Sequence, residues 1–154
     1  MIMTIRRSGK KGYKDMKVLI DTNIILDVLC KRQGFYEDSS RVFKLCEIKQ
    51  ITGIISALSI SNIVYIMRKE LDVQKIHQIL EQLSLIFTIV DLKFDDLQKA
   101  SSMNFKDYED AVQSASAERV KADYIITRNV KDFAASKIMA IKPADFLSIT
   151  AIIF

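Results

Sequence analysis

The sequence predicts an α/β fold, a three-layer sandwich with a four- to five-stranded parallel sheet flanked by helices. Three observations predict it. Short runs of β-favouring residues alternate with longer stretches whose apolar residues recur at helical spacing, the pattern of strand–helix–strand units. The first run, Val18-Leu19-Ile20, is apolar throughout, as a short, fully buried strand is. No repeat or low-complexity linker divides the 154 residues, so the alternation belongs to one domain, long enough to bury a proper core.

The first strand ends on Asp21. Thr22 and Asn23 follow, both good helix N-caps, and Ile24, Ile25, Val28 and Leu29 carry the helix. In an open parallel sheet ligands bind outside the carboxyl ends of the strands, so a carboxylate here faces the crevice. Its alternative is to cap the helix, a task that Thr22 or Asn23 also fills. After a break at Lys31 to Gly34, a second helix spans about Glu37 to Gln50, with Val42, Phe43, Leu45, Cys46 and Ile48 on its apolar side. Ile51 to Ile55 is the second strand. Ser56 or Ser59 caps the next helix, which bears Ile60, Ile63, Val64 and Met67, holds Asn62 one turn in, and ends near Lys69. Asp72 opens a helix to about Leu83, and Ile86 to Val90 is strand three. Phe94 to Met103 is helical again. Asp107-Tyr108-Glu109-Asp110 then opens a helix whose Ala111, Ser114, Ala115, Ser116 and Ala117 allow close packing, and acids in a first turn also suit the helix dipole. Asp123 to Thr127 is strand four, ending in the polar turn Arg128 to Phe133 at the same carboxyl edge as Asp21. A short strand, Ile138 to Ile141, and a helix from Pro143 to about Ser148 close the chain.

The hydrophobic share of 49% and charged share of 27% are those of an ordinary soluble globular protein. No apolar run approaches the roughly 18 residues of a membrane span, and no apolar segment follows the N-terminal basic residues as in a signal peptide. A cytoplasmic protein without membrane contact is expected. Cys30 and Cys46 are isolated, which suggests neither a zinc site nor a disulfide; both are expected as small buried residues on helices. The net charge of +4 sits in residues 1–16, where Arg6, Arg7, Lys10, Lys11 and Lys14 outnumber Asp15, and the rest of the chain is neutral. With Gly9, Gly12 and no periodicity, residues 1–16 read as a basic, disordered leader ahead of a folded domain at 17–150. By charge alone, only the leader is suited to phosphate.

Elimination narrows the chemistry. His77 is the only histidine, on an amphipathic helix with no motif around it, and a chain with four glycines has no GxSxG elbow, Walker loop or GxGxxG turn. Carboxylates are left. If strands one and four are neighbours, Asp21, Asp107, Asp110 and Asp132 converge on one pocket from separate parts of the chain. Clustered carboxylates repel one another unless a cation sits among them, and hard oxygen ligands select Mg²⁺ or Mn²⁺ over zinc. The alternative is four unrelated cap and turn acids, credible for each residue alone and weak for the set. A receiver-like phosphoryl acceptor also places an acid after strand one, but the paired acids and lysine of that fold have no match here beyond Lys142.

From Met16 to Leu147 the chain resembles a PIN domain, the metal-dependent nuclease fold found in toxins of type II toxin–antitoxin pairs. The resemblance is carried, in order and spacing, by Val18-Leu19-Ile20-Asp21-Thr22-Asn23, by Asp107-Tyr108-Glu109-Asp110-Ala111 with its small-residue helix, and by Ile125-Ile126-Thr127-Arg128-Asn129-Val130-Lys131-Asp132-Phe133. It implies an acidic pocket holding Mg²⁺ or Mn²⁺, cleavage of single-stranded RNA, a homodimer, and inhibition by a cognate antitoxin. It also implies roles: Asp21 and Asp110 as metal ligands, Asp107 as a ligand or outer-shell base, and Asn129 or Asp132 in the fourth acidic position with Thr127 supporting it by hydrogen bonding. Asn62 departs from the pattern. Where the family usually has a glutamate, this chain offers an amide, which can coordinate but brings no charge. Asp27 either helps fill that gap or is a solvated acid of the first helix. The rival reading, which Asn62 favours, is the same fold acting as a module that binds RNA or a protein partner without cutting. Arg128 and the leader lysines either contact phosphate or are solvated surface cations.

Overall fold

The computed structural model describes residues 16–153, so the predicted basic leader lies outside the described residues except for Met16. Five strands form one sheet: β1 (Lys17–Ile20), β2 (Thr52–Ser56), β3 (Thr88–Val90), β4 (Tyr124–Ile126) and β5 (Met139–Ile141). Their order is β3-β2-β1-β4-β5 and every pair is parallel. Among the described residues seven helices flank the sheet: α1 (Thr22–Leu29), α2 (Tyr36–Glu47), α3 (Ala57–Ile66), α4 (Val73–Ile86), α5 (Phe94–Ser101), α6 (Tyr108–Arg119) and α7 (Pro143–Ile153), with a 3₁₀ turn at Val130–Phe133.

The two-residue period of β1 divides the core between two faces. Leu19 stands in register with Ile54 of β2 and Ile125 of β4, and these pack with Ala117, Ala122 and Phe133 beneath α6. Val18 and Ile20 point the other way, into the larger cluster built on Ile24, Ile25, Val42, Phe43 and Phe146 from α1, α2 and α7. A parallel sheet covered on both faces is the expected α/β sandwich, and β1 with β4 are the neighbours that a shared carboxyl edge requires. Gly53 of β2 leaves no room for a side chain. A Cβ there would lie 2.5 Å from Cys46 Sγ and 2.6 Å from the Phe87 ring. Burial also pushes the Cys46 thiol up to about 12, which keeps it protonated and inert.

Some boundaries and one burial differ from expectation. The apolar run before β3 reads as strand, yet α4 continues to Ile86 and leaves β3 only Thr88–Val90. Ile79, Leu83 and Ile86, at helical spacing, all pack on the core, and tertiary burial there outweighs local β propensity. The closing helix runs past Ser148 to Ile153 because Leu147 and Ile149 pack on the same core. Cys30, expected as buried, is exposed at the C-cap of α1, while Cys46 is buried as expected.

Candidate active site

Asp21 leaves the end of β1, its backbone N–H bonded to the Ile126 carbonyl of β4 at 3.0 Å. The two readings of this residue coexist. Oδ1 caps α1 by accepting from Thr22 N at 2.8 Å, and Oδ2 accepts from the Thr127 hydroxyl at 2.9 Å. Thr127 thus supports Asp21, and its Oγ1 also accepts from Asn129 N at 3.0 Å, fixing the turn after β4. Asp21 is 6% exposed, and burial raises its carboxyl above the usual range against the pull of Thr127, Thr22, Gln113 and the charge of Arg128.

The start of α6 brings the next acids. Asp107 caps that helix, Oδ1 accepting from Asp110 N at 3.2 Å, and still borders the same cleft as Asp110. The 3₁₀ turn brings Asp132, and its N-cap is Asn129. All six expected residues, Asp21, Asn62, Asp107, Asp110, Asn129 and Asp132, line one open cleft of about 570 Å³. Within it Asp110 is pushed up to about 7, first by burial and then by the charges of Asp21, Asp107, Asp132 and Glu109. Among the described residues no lysine or arginine forms an ion pair with any of the four aspartates.

Two residues not singled out from the sequence belong to the cleft. Glu109 accepts from Asn62 Nδ2 at 2.8 Å, so a carboxylate from α6 stands beside the amide that occupies the family's glutamate position. Gln113 is 4% exposed, one turn beyond Asp110. Its Nε2 donates to Ser59 Oγ at 2.9 Å. With Nε2 on the Ser59 side, Oε1 is left buried without a partner. An orphaned acceptor costs about 1–3 kcal/mol, so such a group usually serves something besides packing. The one available sequence signal was its spacing three residues after Asp110. Ser59, a possible cap for α3, instead accepts from Gln113 and from the Thr22 hydroxyl at 2.8 Å, while Ser56 does the capping.

The donor chemistry fits a hard divalent cation. Every candidate ligand is an oxygen, the carboxylates repel one another, and a buried amide oxygen beside Asp21 lacks a partner. Among the described residues the acids do not yet converge tightly enough to form a ready-made cluster of three metal-binding side chains.

Other expectations are corrected. Asp27 is neither solvated nor in the cleft. It is fully buried on α1, with Oδ2 3.0 Å from Arg128 Nε and Oδ1 3.6 Å from Arg32 Nη1, and it accepts from Ser39 Oγ at 3.3 Å. Arg128 is therefore no free surface cation: its guanidinium is held at Asp27 and lies 4.0 Å over the Phe35 ring. His77 does sit on the surface of α4, paired at 3.9 Å with Glu81.

Residues 17–131 match the model of one protein family, described as the PIN domain. The chain belongs to that family. Similar solved structures share the PIN fold at low identity. A toxin–antitoxin complex from Klebsiella pneumoniae is 22% identical, with TM-score 0.62 over 82% of this chain and 97% of that one. FitAcB from Neisseria gonorrhoeae is 19% identical, with TM-score 0.61 over 82% and 98%. VapC20 of Mycobacterium tuberculosis, a toxin that cleaves the sarcin–ricin loop, is 12% identical, with TM-score 0.61 over 82% and 99%. No curated protein matches the chain. Among the described residues of this PIN domain, no helix is long and apolar enough to cross a membrane.

Proposed function

We propose that this PIN domain is a metal-dependent endoribonuclease, the toxin of a toxin–antitoxin pair, which hydrolyses single-stranded RNA at its acidic cleft. One observation carries the reading: carboxylates from β1, α6 and the turn after β4 border a single cleft, and among the described residues no basic side chain is paired to them. Asp21 and Asp110 hold Mg²⁺ or Mn²⁺, which when bound neutralises phosphodiester charge and makes water a nucleophile at neutral pH. Asp107 and Asp132 would position the metal or the attacking water. Asn129 and Asn62 complete the wall of the cleft, and Asn62 aims Glu109 into the place of the missing glutamate. Thr127 and Gln113 position Asp21. Burial and the neighbouring carboxylates push Asp110 up to about 7, so a cation bound there would favour its charged form.

The antitoxin partner is supported by the complexes that share the fold, and the homodimer and cytoplasmic location follow the same reading. Homodimerisation is checked by analytical ultracentrifugation. A binding module without cleavage is favoured by the amide at Asn62, but Glu109 at 2.8 Å restores the charge that the amide lacks. The deciding experiment incubates a mixed single-stranded RNA pool with the protein in Mn²⁺, Mg²⁺ or chelator, beside Asp21→Asn and Asp110→Asn. Metal-dependent cutting lost in both variants is expected. RNA bound but left intact by the wild type in every condition would leave the binding module as the better reading.

A further inference from the structure

The mouth of the cleft holds a feature that cutting alone does not explain, and its interpretation rests on the RNA-cleaving reading. Tyr65 and Ile66, in the last turn of α3, border the same cleft as the carboxylates. They are nevertheless 66% and 49% exposed. Arg68 lies over the Tyr65 ring, its guanidinium carbon 4.1 Å from the centroid, and is anchored there by Nη1 donating to the Tyr65 carbonyl at 2.7 Å. Lys106, on the loop before α6, borders the cleft as well. A tyrosine kept for packing buries its ring, whereas this one stands open beside an acidic opening.

The charges explain why that matters. A cleft of carboxylates repels a polyanion until a cation neutralises it, so affinity for a nucleic acid has to come from the rim. An aromatic face stacks with any base and is insensitive to the acids below it, and an arginine on the ring adds a positive charge beside the strand. Bases of a duplex already stack on one another, so such a ring selects single strands. We propose that Tyr65, backed by Arg68, is a base-stacking platform for single-stranded RNA at the mouth of the cleft, with Lys106 drawing the adjoining phosphate toward the carboxylates.

The sequence contains no tryptophan, so Tyr65→Trp creates a single fluorescent reporter at this point. Wild type, Tyr65→Ala, Tyr65→Phe and Tyr65→Trp are titrated with a short labelled single-stranded RNA and its duplex, with Ca²⁺ to neutralise the carboxylates. Circular dichroism confirms that each surface variant is folded. Tyr65→Ala should weaken single-strand binding about tenfold while Tyr65→Phe binds like wild type, the signature of one lost stack. Tyr65→Trp should be quenched by the single strand and not by the duplex. Under cleavage conditions Tyr65→Ala should raise KM with little change in kcat. If wild type binds RNA and Tyr65→Ala binds equally well, or loses single strand and duplex alike, the platform is refuted and the nuclease reading stands. If wild type binds no RNA at all, both fail.

Discussion

Asp21 and Asp27 sit six residues apart on one strand–helix unit, and both are buried. Their surroundings are opposite. Asp27 has two arginines and a serine hydroxyl around it, and the comparably buried Asp96 has Arg119 on both oxygens at 2.9 and 3.0 Å with Ser116 at 3.2 Å. Burial alone would raise Asp96, but the Arg119 hydrogen bonds, the Lys93 N–H and the Arg119 charge hold it below the usual carboxylate range. Asp21 and Asp110 form no such ion pair among the described residues and are raised. Acids given an arginine tie elements together: Asp96 joins α5 to α6, and Asp27 joins α1 to the turn after β4. Acids denied one create a local excess of negative charge that a dissolved cation can relieve.

The sharpest way to break this comparison is to neutralise one member of each group. Asp110→Asn and Asp21→Asn should each lower metal-dependent cleavage by at least about a hundredfold in a single-turnover assay. Asp110→Asn should at the same time raise Tm of the metal-free protein by roughly 2–4 °C, as about 1 kcal/mol of relieved repulsion does in a domain of this size. A fall in Tm would mean that Asp110 is structural after all.

Next in size are the paired acids. Asp96→Ala strands Arg119 and should cost about 3–5 kcal/mol in urea unfolding. Asp27→Ala should cost less, about 1–3 kcal/mol, since its hydrogen bond comes from Ser39 where Asp96 accepts from Lys93, Ser116 and Arg119, while the arginines are comparably exposed, at 25% and 35% against 29%. Equal losses would show that the hydrogen bonds to the carboxylate do not decide the cost here.

The pH dependences should run in opposite senses. Asp110 has its pKa raised, so the folded state binds the extra proton and stability falls as pH rises from about 4 to about 7. Saturating Mn²⁺ should flatten that slope in a series of melting curves, and a slope indifferent to Mn²⁺ would separate the acids from any metal. Asp96 has its pKa lowered, so its contribution is present above the ordinary carboxylate value of about 3.9 and disappears as pH falls below it. Asp96→Ala should therefore remove part of the acid-side loss.

The smallest expected effect tests the pair that replaces the family's glutamate. Asn62→Ala frees Glu109 and should weaken Mn²⁺ binding about tenfold by calorimetry while changing stability by less than about 0.5 kcal/mol. Unchanged affinity would place Glu109 outside the metal's surroundings.

Strand β1, the helix that follows it and the order of the acids were legible because each is a local pattern. Val18 to Ile20 reads as a strand buried on both faces, which sets Asp21 at its carboxyl end. The end of α4 was less legible: Leu85-Ile86-Phe87 has the composition of a strand, and only packing of Ile86 on the core extends the helix. Asn62 was visible as a departure, but its partner Glu109, 47 residues on, was not.

The sequence by itself determined the alternation of strands and helices and set Asp21 and Asp132 after strands, whereas the pairing of β1 with β4, which brings Asp21, Asp110 and Asp132 to one cleft, belongs to the fold. Tertiary structure decided which acids are neutralised. Asp27 and Arg128 are far apart in the chain and 3.0 Å apart in the fold, and the Gln113 amide donates to Ser59 of another helix. Hydrophobic periodicity is written along the chain, whereas charge acts through space, and the neighbour that fixes a carboxylate's state is set only when the layers pack.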